Sequence, residues 1–378
     1  MDYTKIPNTA FVLDEQLLRN NLSLIKNVQD QAEIEIILAF KGFAMWGAFP
    51  IVQEYIKGAT ASSLYEARLC FEEMKTKAHV YAAAYVPDEF EELMSYSSHI
   101  VFNSVAQFNH YYKQTLTAKH KISCGLRINP EQSDVEVDLY NPSSPKSRLG
   151  VLKDFMPEKL PEGIEGLHFH VLCESDSYAL EKTLIALEQR FGDYLHQIKW
   201  INMGGGHLMT RKGYDTQHLI QLLKAFKKKY NVQIILEPGS AFAWETGVLT
   251  TTVLDIVQSR GVKTAMLDVS FTAHMPDTLE MPYRPKIVGA CNPDSHSKFV
   301  YRLGGTSCLA GDFMEPYAFE KELQIGDQLV FKDMIHYTMV KTTMFNGVKH
   351  PDICIWTKEN RLKTIRKFTY HDYKSRLS

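Results

Sequence analysis

Lys41 closes the apolar run Ile34–Phe40, and far downstream Cys308 sits in the glycine-flanked segment Gly304-Gly305-Thr306-Ser307-Cys308-Leu309-Ala310-Gly311-Asp312. An amine at the mouth of a buried strand loses hydration, which disfavours the ammonium form and makes it a nucleophile toward an aldehyde. A lysine there can equally be one that snorkels its charge out to water. Glu237, in Leu236-Glu237-Pro238-Gly239 after the apolar run Gln233–Leu236, offers a carboxylate able to hold a proton on a heteroaromatic nitrogen; its plainer role is a surface acid before a turn. Gly204-Gly205-Gly206 follows Trp200–Met203 and lets backbone N–H groups converge on an anion with no Cβ in the way. It does not meet the dinucleotide fingerprint, because no spaced third glycine opens a helix.

His168 and His170 alternate along an extended run, so both face one side, which is also the spacing of a two-histidine metal pair. Glu174 is the nearest further donor and completes no convincing set, so a ring-stacking role for one histidine is preferred to metal. Cys308 is a candidate acid or base, against the usual fate of a free cysteine as a small buried residue. Tyr337 could place a phenol on a phosphate or simply fill a β core. An amine for an aldehyde, an imidazole for a ring, a glycine run for a phosphate and a carboxylate for a pyridinium are together what pyridoxal phosphate requires.

The elements that must position these groups are short apolar runs alternating with amphipathic stretches. Strands are predicted at Ile34–Phe40, His79–Ala83, Ile100–Phe102, Ser123–Ile128, Gly166–His170, Trp200–Asn202 and Gln233–Leu236, and helices at Ser62–Met74, Pro87–Tyr96, Ser104–Gln114, Ser177–Gln189 and Thr216–Tyr230, with Ser62 as an N-cap candidate. Repeated strand–helix units over this length predict a closed (β/α)₈ TIM-like barrel, with the informative residues just after the strands, where barrel loops carry active sites. Past Ala241 the pattern turns to strands: Val248–Val257, Ala265–Val269, Phe299–Leu303, Gln328–Phe331 and Asp352–Trp356. The expected organisation is a barrel over 14–241 followed by a C-terminal all-β domain over 242–378, joined by the extended residues 1–13, which include Asn8. The polar stretch Tyr140–Arg148, with Pro142 and Pro145, is expected to be a flexible active-site loop.

The 378 residues carry a formal net charge of −2, so nothing draws nucleic acid or an anionic membrane over long range. No apolar run approaches the ~20 residues of a membrane helix, and the N-terminus reads as no signal peptide. Six scattered cysteines without paired metal spacing read as reduced thiols, and the expected compartment is the cytoplasm.

With these residues assembled, the chain resembles the fold-type III pyridoxal-phosphate decarboxylases, an alanine racemase-like fold shared with diaminopimelate and ornithine decarboxylases. The resemblance spans Thr9 to about Gly347. It implies that Lys41 is the aldehyde-holding lysine, His170 the histidine stacked on the cofactor ring, and Gly204, Gly205, Gly206 and Gly239 part of the cofactor cradle. It likewise implies that Glu237 serves the ring nitrogen, Arg127 is the mid-barrel arginine, and Tyr337 contacts the phosphate. Ala61-Ser62-Ser63 with Glu66 resembles the second-strand segment, and Phe345-Asn346-Gly347 also fits. Cys308 matches the cysteine that a partner subunit inserts into the active site, which implies a homodimer with shared sites.

Three departures make the chain most similar to the carboxynorspermidine/carboxyspermidine decarboxylase branch, which serves polyamine biosynthesis. Val171-Leu172-Cys173-Glu174 replaces a Gly-Ser pair after the stacking histidine, Ser240 replaces an arginine after Gly239, and Leu309 replaces an acid after Cys308. The substrate so implied is a small-molecule carboxy-polyamine, with Asp312, Asp277, Glu280 and Glu315 as candidate partners for its ammonium groups. Arg284, in Tyr283-Arg284-Pro285, resembles the diaminopimelate enzyme instead. Diaminopimelate decarboxylase, another fold-type III decarboxylase or a racemase stay open as alternatives. So do two other classes: a barrel hydrolase using His168/His170 and a metal, and a non-catalytic pyridoxal-phosphate-binding protein.

Overall fold

The structure, a computed structural model, describes residues 1–7, 9–144, 146–280 and 283–378; Asn8 and Pro145 lie outside the described residues. The chain divides into two compact units, Asn21–Phe242 and a second made of Met1–Asn20 with Ala243–Ser378.

Asn21–Phe242 holds a nine-stranded all-parallel sheet that closes on itself. Glu35–Ile36 pairs with Gln233–Leu236, and Leu38–Ala39 pairs with Ala59–Ala61. These two pieces are one strand, offset at Ile37, that joins the last barrel strand to the second. The intervening strands are Ala78–Tyr81, Ser97–Phe102, Ser123–Arg127, Ile164–His168 and Trp200–Asn202. Ala59–Ala61 has only three residues, too few to register as an apolar run. Parallel strands covered on both faces need apolar side chains throughout, and Leu38, Ala39 and Phe40 are accordingly all buried.

Helices Leu64–Met74, Pro87–Ser95, Val105–Thr115, Ser177–Leu195 and Thr216–Tyr230 alternate with these strands. Ser63, not Ser62, caps the first of them: its side chain accepts the Glu66 N–H, while the Ser62 N–H donates to Glu66 Oε2 at 2.6 Å. Reciprocal bonds of this kind satisfy donors that a helix start leaves open. Between Ser123–Arg127 and Ile164–His168 the described residues form single helical turns, loops and an isolated bridge from Ile128 to Val151. The loop around Tyr140–Arg148 is tied down where Asn103 Nδ2 donates to the Arg148 carbonyl and Ser143 Oγ donates to Asn129 Oδ1.

The barrel interior is filled in layers, as close packing demands. Trp200 occupies the lower layer with Ile37, Val101 and Ile235. A Cβ at Gly166 would lie 2.1 Å from its ring and one at Gly125 2.3 Å, so the absence of side chains at both positions makes room for the indole. Its Nε1–H donates to Ser123 Oγ at 2.8 Å. The His79 and His99 rings meet at a tilt, centroids 3.8 Å apart, and His99 meets the indole edge-on at 5.3 Å.

The second unit is a mostly antiparallel nine-stranded sheet. Ala10–Asp14 runs antiparallel to Gly247–Ser259 and parallel to Asp352–Trp356. Ile6, Ala10, Val12, Val248, Val330, Cys354 and Trp356 form one core cluster of this sheet. Short helices, Phe271–His274, Asp277–Glu280 and Tyr337–Val340, interrupt it.

Candidate active site

Parallel-strand pairing sets a belt of polar side chains inside the barrel mouth. Arg127 pairs with His168, His168 with Asn202, and Asn202 with Ile235. Paired residues on neighbouring strands face the same side, and Glu237, two residues past Ile235, continues that face. Arg127, His168, Asn202 and Glu237 are all buried. Asn202 Nδ2 donates to Glu237 Oε1 at 2.6 Å, while its Oδ1 accepts the Gly204 N–H at 2.9 Å. The backbone donor fixes the amide orientation, so the asparagine couples the glycine run to the carboxylate. Burial raises the pKa of Glu237, opposed first by the Asn202 hydrogen bond and then by the charge of Lys41. Arg127 lies 4.5 Å from the Tyr81 ring centroid and donates Nη2–H to the His170 carbonyl at 3.1 Å.

Lys41 stands on the tight turn after its strand, where the Gly42 N–H donates to the Ala39 carbonyl at 3.0 Å. A Cβ at Gly42 would lie 2.7 Å from Gly239 Cα, so the two glycines let this turn and the one after Glu237 touch backbone to backbone. The Lys41 side chain reaches solvent, yet surrounding barrel atoms strip much of its hydration. That desolvation lowers its pKa, against the opposing charge of Glu237.

The protonation state follows from hydrogen-bond direction. The Gly205 N–H donates to His170 Nδ1 at 2.7 Å, so Nδ1 carries a lone pair. Burial holds the His170 pKa well below its ordinary value, with the Lys41 charge adding to the effect. A neutral ring then bears its proton on Nε2, a tautomer inferred from the backbone donor. Nε2 is 3.2 Å from Lys41 Nζ, and the contact is bonding only if the amine presents a lone pair. Hydrogen-bond geometry and desolvation therefore both favour the free-amine form of Lys41 over its ammonium.

Gly204-Gly205-Gly206 was expected to aim three N–H groups at an anion. Two of them are occupied within the barrel, Gly204 on Asn202 and Gly205 on His170, because the run also carries the wiring between belt and histidine. The Gly206 N–H is the one of the three for which no partner is placed. Gly206 has φ +85°, and a Cβ there would lie 2.2 Å from the Leu172 carbonyl oxygen. Cys173 borders Lys41, and burial pushes its thiol pKa up to about 11.

The remaining predicted residues belong to the second unit. Cys308 is exposed, and its N–H donates to Asn346 Oδ1 at 2.7 Å. Asp312, expected to meet an ammonium group, is buried and organises the cysteine loop instead. Its Oδ2 accepts from Ser307 N–H and Oγ–H, and its Oδ1 accepts from the Thr272 N–H. Glu280 pairs with Lys341. Asp277 Oδ2 accepts from Tyr283 Oη at 2.8 Å and Thr338 Oγ1 at 2.7 Å, while its buried Oδ1 has no partner among the described residues. Arg284 stacks over Tyr317 and donates to the Pro316 carbonyl. Glu315 is exposed on its strand, and Tyr337 opens the helix Tyr337–Val340.

Among the described residues, no group of three or more His, Cys, Asp or Glu side chains is arranged to hold a metal. No helix among them is long and apolar enough to cross a membrane. Sequence reasoning did not single out Asn202 for chemistry. The signal was present, since it is a polar residue ending an apolar run, as Lys41 and Glu237 are.

A barrel with a lysine, a carboxylate and a glycine loop at its strand C-termini, joined in one chain to an antiparallel sheet unit, defines the fold-type III pyridoxal-phosphate enzymes. Residues 11–335 match the family model described as pyridoxal-dependent decarboxylase, C-terminal sheet domain, and the chain belongs to that decarboxylase family. It is 51% identical to a carboxyaminopropylagmatine decarboxylase of Synechocystis sp., covering 99% of this chain and 96% of that one. It is 46% identical to a carboxynorspermidine/carboxyspermidine decarboxylase of Campylobacter jejuni, over 100% of both. Among solved structures it resembles a Campylobacter jejuni carboxynorspermidine decarboxylase complexed with norspermidine, at TM-score 0.90 and 44% identity, covering 98% of this chain and 100% of that one.

Proposed function

We propose that the chain uses pyridoxal phosphate to decarboxylate carboxynorspermidine or carboxyspermidine, releasing CO₂ and norspermidine or spermidine. The observation that carries the cofactor chemistry is the Lys41 amine, its pKa lowered by desolvation, 3.2 Å from His170 Nε2 in a barrel mouth that also buries Glu237. When bound, pyridoxal phosphate supplies an electron-withdrawing ring that stabilises the electron pair left as CO₂ departs. Lys41 would hold the aldehyde, His170 would cover the ring face, and Glu237 would keep a proton on the ring nitrogen. The Gly206 N–H, Gly239 and Tyr337 are the groups assigned to the phosphate end. Arg127 acts by holding the backbone of His170. Cys308 Sγ–H would deliver the proton that replaces the carboxylate, from a partner subunit of a homodimer, and its exposure on a loop pinned by Asn346 and Asp312 supports that reading.

The substrate assignment rests on full-length similarity to the Campylobacter jejuni enzymes. The 51% identity to the Synechocystis enzyme favours a second reading, carboxyaminopropylagmatine. Both readings share an α-amino carboxylate head on a cationic tail; they differ in whether the tail ends in an ammonium or a guanidinium, groups with different hydrogen-bond geometry. Glu315, exposed on its strand, is the better tail candidate, since Asp312 and Glu280 are already engaged and Asp277 is buried.

CO₂ release from carboxynorspermidine, carboxyspermidine, carboxyaminopropylagmatine and meso-diaminopimelate tests the proposal. Turnover of either of the first two at least tenfold above the others in kcat/KM is expected. Preference for the guanidinium substrate selects the second reading. Preference for diaminopimelate, or an absence of visible absorption quenched by borohydride at Lys41, refutes both.

A further inference from the structure

His168 is unexplained by the roles above. It is 1% exposed, and among the described residues neither ring nitrogen has a hydrogen-bond partner. Buried polar groups are almost always paired, and an orphan is costly enough to call for a reason. A small apolar residue would fill the position without that penalty.

The surroundings give the reason. The Tyr81 ring meets the imidazole edge-on at 5.2 Å, and the charges of Arg127 and Lys41 lie close enough to oppose its protonation. Burial is the larger cause of the same effect, so the ring is neutral. Its Nε2 lies 3.8 Å from Glu237 Oε2. A carboxylate only accepts, so a lone pair on Nε2 would face another lone pair and the proton belongs there. Asn202 serves Oε1 at 2.6 Å and the Thr60 side chain also hydrogen-bonds the carboxylate, while Oε2 is the oxygen turned toward His168. Shortening the gap to the usual ~2.7–3.2 Å takes about 0.6–1.1 Å of side-chain movement.

We infer that His168 is a positioning residue for Glu237: its Nε2–H engages Oε2 while Asn202 engages Oε1, so the carboxylate keeps both its plane and its charge inside a desolvated barrel. Donors to a carboxylate favour the ionised form, and this pair counters the burial that pushes Glu237 toward protonation. The inference rests on the assignment of Glu237 to the cofactor ring nitrogen.

The test loads wild-type, H168F, H168N and E237Q enzymes with pyridoxal phosphate labelled with ¹⁵N in the ring, and follows the ring-nitrogen chemical shift with pH beside kcat and KM. H168F is expected to lower the apparent ring-nitrogen pKa and to cut kcat about ten- to hundredfold, the value of one hydrogen bond to a charged group, with KM within about twofold. H168N keeps an N–H donor and should recover most of the shift. Should the phenyl ring prevent folding, H168M replaces it with the same two outcomes. A wild-type ring-nitrogen pKa in the apolar variant overturns the inference, whether or not kcat falls, because a structural role alone would leave the shift in place. If E237Q also leaves the nitrogen unchanged, the assignment of Glu237 fails first and this inference with it; if E237Q moves it and H168F does not, only the inference fails.

Discussion

Replacing Gly205 with alanine should strike the cofactor site at the Glu237 backbone and the His170 ring at once. The added Cβ would lie 2.4 Å from the Glu237 carbonyl oxygen and 3.2 Å from His170 Cε1. Carbon–oxygen contacts settle near ~3.3 Å, so the two segments must separate by roughly 0.9 Å, and the close atom is backbone and cannot swing away. Two hydrogen bonds span the gap: Glu237 N–H to the Gly204 carbonyl at 2.8 Å, and Gly205 N–H to His170 Nδ1 at 2.7 Å. Overpacking of this size costs about 1–3 kcal/mol and a weakened hydrogen bond about 1 kcal/mol more, which together predict a melting-temperature loss of roughly 5–15 °C. Freed from its backbone donor, His170 can place its proton on either nitrogen, and Lys41 loses the partner that favours its lone pair. Visible titration with pyridoxal phosphate should therefore show affinity at least tenfold weaker than wild type. Gly192, inside Ser177–Leu195 with nothing within 4 Å of a built Cβ, is the control: alanine there should stabilise by about 0.5–1 kcal/mol. A Gly205→Ala protein with wild-type melting and wild-type affinity would refute the tautomer argument and the wiring it describes.

Three further outcomes are expected. His99 and His207 are held neutral, each with pKa about 4 and burial as the main cause. The unfolded chain binds their protons first, so stability falls as pH drops from about 6.5 toward 4 by ~1.4 kcal/mol per unit per group; a urea midpoint flat across that window contradicts this. Asn202→Leu strands a buried Gly204 N–H and takes the donor from Glu237, costing about 2–4 kcal/mol and weakening cofactor binding, as calorimetric melting and equilibrium titration would show. Cys308→Ala should keep the visible chromophore and lose most product formation, while Asp312→Ala should lower product formation and change the alkylation rate of Cys308 mapped by mass spectrometry. Unchanged turnover in either variant removes the thiol from the mechanism.

Much of the barrel was legible because strand and helix periods differ. Thr216–Tyr230 and Trp200–Asn202 coincide with the predicted bounds. Ser177–Leu195 runs six residues past the predicted end at Gln189, since the single Gly192 does not stop the helix and Phe191 and Tyr194 are buried in its packing. The strand Ala59–Ala61 gave no periodic signal because three residues carry no period; the resemblance of Ala61-Ser62-Ser63 to the family's second-strand segment pointed to it, and its neighbours define it. Asp312 was read as a free acid because a one-dimensional chain does not show that the loop turns back on its own carboxylate.

The order of residue types along the chain was enough to determine which groups can do chemistry: an amine after an apolar strand, an acid before Pro-Gly, glycines after Met203. Those properties are local, being set by side-chain identity and strand burial. The protonation of Lys41, the coupling of Asn202 to Glu237 and the loop-holding work of Asp312 arise only from tertiary structure. They depend on which backbone N–H meets which lone pair across strands far apart in the chain, and hydrogen-bond direction is a property of three-dimensional approach.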